Sequence, residues 1–156
     1  MATAYIVDAF RTAGGKRNGK LAGWHPVDMA AATLDHLVAK TGIDGAAVED
    51  VVMGCVMQGG QQSFQVGRNA VLASNALPDS VPAVTIDRQC GSSQQAMQFA
   101  AQAVMSGTMD MVIAAGVESM TRVPMGSTGM FHAKEGLGTY KSPRLEEKYP
   151  GIMFSQ

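Results

Sequence analysis

Ala83-Val84-Thr85-Ile86-Asp87-Arg88-Gln89-Cys90-Gly91-Ser92-Ser93-Gln94-Gln95-Ala96 is the stretch on which the reading of the fold turns. Ala83 to Ile86 reads as a short strand. The polar residues that follow predict a tight turn. Ser92 to Ser106 then carries small apolar residues, Ala96, Ala100, Ala101 and Ala103, and Gly107 can close it, so a helix is expected. Cys90 therefore falls where a strand has ended and a helix begins.

The same alternation extends on both sides. Upstream, Val51 to Met57 is an apolar run with Gly54 inside it, a second strand. Gln58 to Gln65 is polar and contains glycine, hence a loop, and Gly67 to Asn75 reads as a short helix. Pro78 and Pro82 bracket a connection. Further upstream, Tyr5 to Phe10 reads as a short buried strand and Arg11 to Gly23 as a loop. Pro26 can open a helix, with Asp28 in its first turn and Val27, Ala30, Ala31, Leu34, Leu37 and Val38 at helical spacing. Lys40 suits its last turn and Gly42 its end. Downstream, Met111 to Val117 is another strand. Strands alternating with helices predict an α/β layer with parallel pairing. After Thr121 the pattern changes, and Gly126 to Ser142 shows no periodicity. The expected division is an α/β domain over 1–121 and an irregular extension over 122–156 with no core of its own.

Of the 156 residues, 46% are apolar and only 16% charged, against about 25% charged in ordinary globular chains. So little charge implies that much surface is covered, by another subunit or by a further part of the fold. A net charge of −1 gives no electrostatic case for nucleic acid or an anionic membrane. No apolar run approaches the ~20 residues that span a bilayer. Met1 to Ala4 leads straight into Tyr5-Ile6-Val7 with no basic segment or long apolar core, so no secretory signal is expected and a cytoplasmic location is. Two cysteines are too few for a disulfide scaffold, and His25, His36 and His132 are scattered, so no metal site is expected.

A cysteine at a helix start has two readings. It can be a small buried residue packing the helix end. Or the unpaired N–H groups and positive dipole end can favour its thiolate and steady negative charge on a thioester oxygen. The helix end is worth about 0.3–1 kcal/mol, up to ~2 in buried sites, so a strong nucleophile would also want a base, usually histidine. None of the three histidines sits where sequence nominates it. Cys55, mid-strand between Gly54 and Val56, reads as a core residue. Glu118 could orient a group near the site or could satisfy backbone groups at a strand end. Lys16, Arg17 and Lys20 could touch a ligand phosphate or form a solvated loop. Met120, Met125 and Met130 could line an acyl pocket, though nothing in the sequence places them.

The ordered set of motifs resembles the thiolase family. Arg11-Thr12 with Gly14 and Gly19-Lys20-Leu21 is similar to the family's opening. Val51 to Gln58, then Gln65 to Ala70, resembles its second strand and the loop-helix that follows. Pro82 to Thr85 through Cys90-Gly91-Ser92-Ser93 and Ala96 resembles its nucleophile segment, and Ala115-Gly116-Val117-Glu118-Ser119-Met120 a marker after its fourth strand. The resemblance implies the N-terminal half of an αβαβα layered fold, with the start of an inserted loop domain after residue 121. It implies ping-pong acyl transfer between CoA thioesters, with Cys90 as acyl acceptor and its backbone N–H in an oxyanion hole. It implies no metal or redox cofactor, since CoA arrives as substrate, and a homodimer or homotetramer. In the family the catalytic histidine and a second catalytic cysteine lie in a C-terminal half. This chain is therefore expected to be a fragment, a split-gene product or a cleaved subunit, inactive without a complementary half. The Gln58–Gln65 loop would reach over a neighbouring subunit's site or simply cover the surface.

Departures leave acyl-chain preference open: Ala13 stands where the family usually has Pro, Asp87 where Asn is common, Ser93 where Gly is frequent, and Gln94-Gln95 where the helix start is usually apolar. Two other readings compete. A ketoacyl-synthase-type condensing enzyme uses a cysteine at the same helix start, although Arg11-Thr12 and Glu118-Ser119-Met120 favour thiolase. A non-catalytic thiolase-fold subunit would lack the histidine and second cysteine, although retention of Cys90 speaks against it.

Overall fold

The computed structural model describes residues 3–153. Three parallel strands form one sheet in the order β2-β1-β3: β1 (Asp50–Gly54), β2 (Ala83–Ile86) and β3 (Val112–Gly116). The register aligns Gly54 with Ile86 on one side and with Gly116 on the other, so all three strands end level. Parallel neighbours require crossovers, and α2 (Val66–Ala73) and α3 (Ser92–Ser106) supply them.

Helix α1 (Pro26–Thr41) begins and ends as its sequence dictates. Val27 N–H donates to His25 Nδ1 (3.3 Å), Pro26 needs no donor in the first turn, and Asp28 and Lys40 complement the helix dipole. Gly42, at φ 68°, takes the left-handed position that ends the helix and donates its N–H to Val38 O. Ala30, Leu34 and Val38 form the buried stripe. They pack with Val66, Ala70 and Val71 of α2 and with Val51 and Met53 of β1 in one core. Side chains alternate along a strand, so Gly54 points the other way, onto α3. Ala96 and Ala100 are the buried apolar residues of α3, beside the buried Ser92 and Gln95. The central strand is thus covered on both sides, which is why Val51 to Gly54 reads as a continuous apolar run.

Two expectations are corrected. Tyr5–Phe10 joins no ladder, and Tyr5, Ile6 and Val7 are 81, 76 and 79% exposed. A strand exists only where a neighbour satisfies its backbone, and among the described residues none lies beside it. What holds the segment is an ion pair from Lys40 Nζ to Asp8 (2.7 Å) and a stack of Phe10 on His36 (centroids 3.9 Å apart). The stretch 126–142 is also less irregular than its composition implies. It contains α4 (Ser127–Lys134), and α5 (Pro143–Lys148) follows, with Ser142 Oγ accepting from Leu145 N–H. Neither helix buries a residue. Phe154 to Gln156 lie outside the described residues.

Candidate active site at the start of helix α3

β2 ends at Ile86, and four residues later Cys90 stands exposed immediately before α3. The intervening turn is tightly specified. Asp87 Oδ1 accepts the N–H of Gln89 (2.7 Å), and Gln89 has φ 49°, a left-handed conformation that a side chain disfavours. Ser92 holds that conformation in place. Its buried hydroxyl accepts from Arg88 N–H (2.9 Å) and donates to Gln89 O (2.6 Å). The N–H groups of Gly91 and Ser92 close back onto Arg88 O and Gln89 O (3.0 Å each). Cys90 is thereby fixed between a strained residue and the first turn of a helix.

The seat beneath the turn is made of glycine. A Cβ on Gly54 would lie 2.5 Å from Ser93 N, and one on Gly116 would lie 2.7 Å from Ser93 Cβ. Real Cβ atoms do not approach so closely, so the two strand ends must stay bare for the helix start to settle on them. On the opposite face a Cβ on Gly67 would meet Met53 Cβ at 2.7 Å, which lets α2 begin equally close to the sheet. Both helices are seated by absent side chains, and Cys90 lies just ahead of the one that settles on Gly54 and Gly116.

Behind this seat lies a polar clasp. Glu118, just beyond β3, accepts from Val56 N–H (2.7 Å), Met57 N–H (3.3 Å) and Gln62 Nε2 (2.8 Å). Gln62 is fully buried; its Oε1 accepts from Ser119 N–H (2.7 Å) and its Nε2 also donates to Met57 O (2.8 Å). Glu118 thus satisfies backbone groups at a strand end, one of its two expected roles. Cys55 lies buried beside the clasp, and its thiol is pushed up to about 12 by burial first, then by the negative charges of Glu118 and Asp87. It is a core thiol, as expected, although it lies one residue past the end of β1 rather than mid-strand. The two cysteines therefore occupy opposite environments.

The other weighed residues fall elsewhere. Lys16, Arg17 and Lys20 are exposed in the loop before α1, whose Asn18 N–H donates to Thr121 Oγ1 (3.1 Å). Arg122 closes that loop from the far side, donating to Ala22 O, Gly23 O and Gln61 Oε1. Met120, Met125 and Met130 are more than half exposed. Among the described residues no group of three His, Cys, Asp or Glu could hold a metal, and no helix is long and apolar enough to cross a membrane. A cavity of about 210 Å³ lies between Phe10–Thr12, α1 and β3, with Glu118 at its wall.

Comparison with known proteins follows this geometry. A family model described as the thiolase N-terminal domain matches residues 4–146. The steroid 3-ketoacyl-CoA thiolase FadA6 of Mycobacterium tuberculosis is 49% identical over 148 residues, 95% of this chain and 35% of that protein. A β-ketoadipyl-CoA thiolase of Escherichia coli is 42% identical over 125 residues, 80% of this chain and 31% of its own length. The crystal structure of the acetyl-CoA acetyltransferase of Bacillus anthracis superposes with a TM-score of 0.65 at 34% identity, over 70% of this chain and 27% of that one. The chain spans about a third of the length of the curated relatives it matches. The α/β architecture, the parallel sheet and these matches agree: the chain belongs to the thiolase family and corresponds to its N-terminal domain.

Proposed function

We propose that Cys90 is the acyl-accepting nucleophile of a thiolase-type acyltransferase that interconverts acyl-CoA plus acetyl-CoA with 3-ketoacyl-CoA plus CoA. The observation that carries this reading is its placement: an exposed thiol at the start of α3, on a strained turn stapled by Ser92. In the degradative direction the Cys90 thiolate attacks the 3-keto carbon, the bond between C2 and C3 breaks, and the released acetyl-CoA carbanion takes a proton. The thiol of a second CoA then attacks the Cys90 thioester, giving the shortened acyl-CoA and returning the thiolate. On this reading the backbone N–H of Cys90 contributes to an oxyanion hole for each tetrahedral intermediate.

Both proton transfers call for a base and an acid. On this reading they come from a complementary C-terminal half, and the complete enzyme is a homodimer or homotetramer acting on acyl-CoA substrates. CoA enters as substrate and no metal is required. Residues 1–121 form the α/β domain that carries the nucleophile, and 122–156 begin a loop domain. The intact mass after incubation with acetyl-CoA, alone and with a complementary C-terminal half, tests the reading. An adduct of about 42 Da mapping to Cys90 and not to Cys55 is expected. An assembly that turns over acetoacetyl-CoA equally well with Cys90→Ala would sink it, and turnover of malonyl thioesters would favour a condensing synthase instead.

A further inference from the structure

The clasp between Glu118 and Gln62 lies outside the turn that carries Cys90, at the exits of β1 and β3 beside the glycine seat of that turn. Cys55 N–H donates to Ile86 O (3.0 Å), fixing the last residue of β2 before the turn begins. Val117 N–H donates to Gly54 O (3.0 Å), tying the exit of β3 to that of β1. Glu118 grips the two residues after Cys55 through their N–H groups. Gln62, with no exposed surface, locks the carboxylate from behind and holds Ser119. The carboxylate therefore ties the exit of β3 to the segment that follows β1, alongside these backbone bonds, and Gly54 and Gly116 lie so close to Ser92 and Ser93 that a Cβ on either would clash.

We propose that Glu118 is a positioning residue for Cys90, acting with Gln62 to hold the strand exits level so that the turn over 87–90 keeps its stapled form. The inference rests on the reading of Cys90 as nucleophile for its functional meaning, while the mechanical link is separately measurable. Glu118→Gln preserves shape but can offer only one oxygen to the N–H groups of Val56 and Met57. Gln62→Met preserves bulk and removes the donor that locks the carboxylate.

The test measures Cys90 alkylation by iodoacetamide from pH 6 to 10, with amide exchange at Arg88, Gly91 and Ser92, in the parent chain and both variants. Val51 N–H, bonded to Pro82 O at the other end of the sheet, is the reference amide. In folded variants the rate of Cys90 alkylation is expected to depart from the parent's. The rate at pH 8 should change at least threefold, and exchange should speed at residues 88–92 while Val51 stays protected. Profiles that superimpose on the parent's in a folded variant would overturn the proposal. So would loss of the whole fold in both variants, because the clasp would then be general scaffolding. Failure of the parent chain and its complementary half to take acetyl from acetyl-CoA would count against Cys90 as nucleophile and leave the alkylation and exchange results to decide on Glu118.

Discussion

The contrast between the two cysteines gives a quantitative prediction. Cys55 is buried between β1 and the clasp, and burial with the nearby charges of Glu118 and Asp87 raises its pKa from 9.0 to about 12. Alkylation proceeds through the thiolate. At pH 8 a thiol of pKa 9.0 is roughly one-tenth ionised and one of about 12 roughly one part in ten thousand, a suppression of about 10³ from ionisation alone. The assay is iodoacetamide labelling with timed quenching and peptide mapping, native and in concentrated guanidinium. Native Cys55 should react at least about 10³ times more slowly than denatured Cys55, with Cys90 labelled well before it. Stability should respond as well. The folded state holds the Cys55 proton more tightly than the unfolded state, so this contribution is full below pH 9 and is lost as the pH rises toward 12. Native Cys55 reacting within tenfold of its denatured rate would refute the reasoning, because neither burial nor the charge cluster would then be protecting it.

Other perturbations test the seat and the turn. Gly54→Ala must drive a methyl into the start of α3; a loss of about 1–3 kcal/mol in chemical denaturation is expected, with Gly116→Ala giving a similar loss. Ser92→Ala leaves Arg88 N–H and Gln89 O without their buried partner, which should cost about 1–3 kcal/mol and slow acylation of Cys90 in the completed enzyme. Gln89→Gly relieves the left-handed conformation, so its melting temperature should match or exceed the parent's, whereas Gln89→Val should melt lower. The Lys40 ammonium, followed by the N–H of Ala9, holds the Asp8 carboxyl below its usual 3.8. The tether on residues 5–10 should therefore persist through pH 4 and loosen as the pH falls below that value, seen as line narrowing of those amides in NMR spectra.

The elements that carry the candidate site were the most legible. Helix α3 was expected over Ser92 to Ser106 and is found there, because small residues before Gly107 leave little choice, and β2 over Ala83 to Ile86 matches equally well. The strand expected over Tyr5 to Phe10 illustrates the opposite case. Its residues suit a strand, but pairing depends on a neighbour that local sequence does not specify. Helix α5 carried a readable signal in Ser142-Pro143, a cap followed by a first-turn proline. Helix α4 starts from Gly126 at φ 79° without a side-chain cap, and nothing local announces it. The glycine seat and the Gln62 lock were invisible for a related reason. Gly54 and Gly116 are separated in sequence by α2, β2 and α3, and only the register of the sheet brings both under Ser93.

That register also governs how the domain can assemble during synthesis. Strand β1 is central, yet its first partner emerges only after α2 and its second only after α3. At 5–20 residues per second, the roughly thirty residues separating β1 from β2 take several seconds to translate, and β3 takes about as long again. Until β2 emerges, β1 has no partner on either side, and until β3 emerges it has one open side. Substitutions that raise the β-propensity of Val51 to Gly54 should therefore lower soluble yield before they change the folded protein at all.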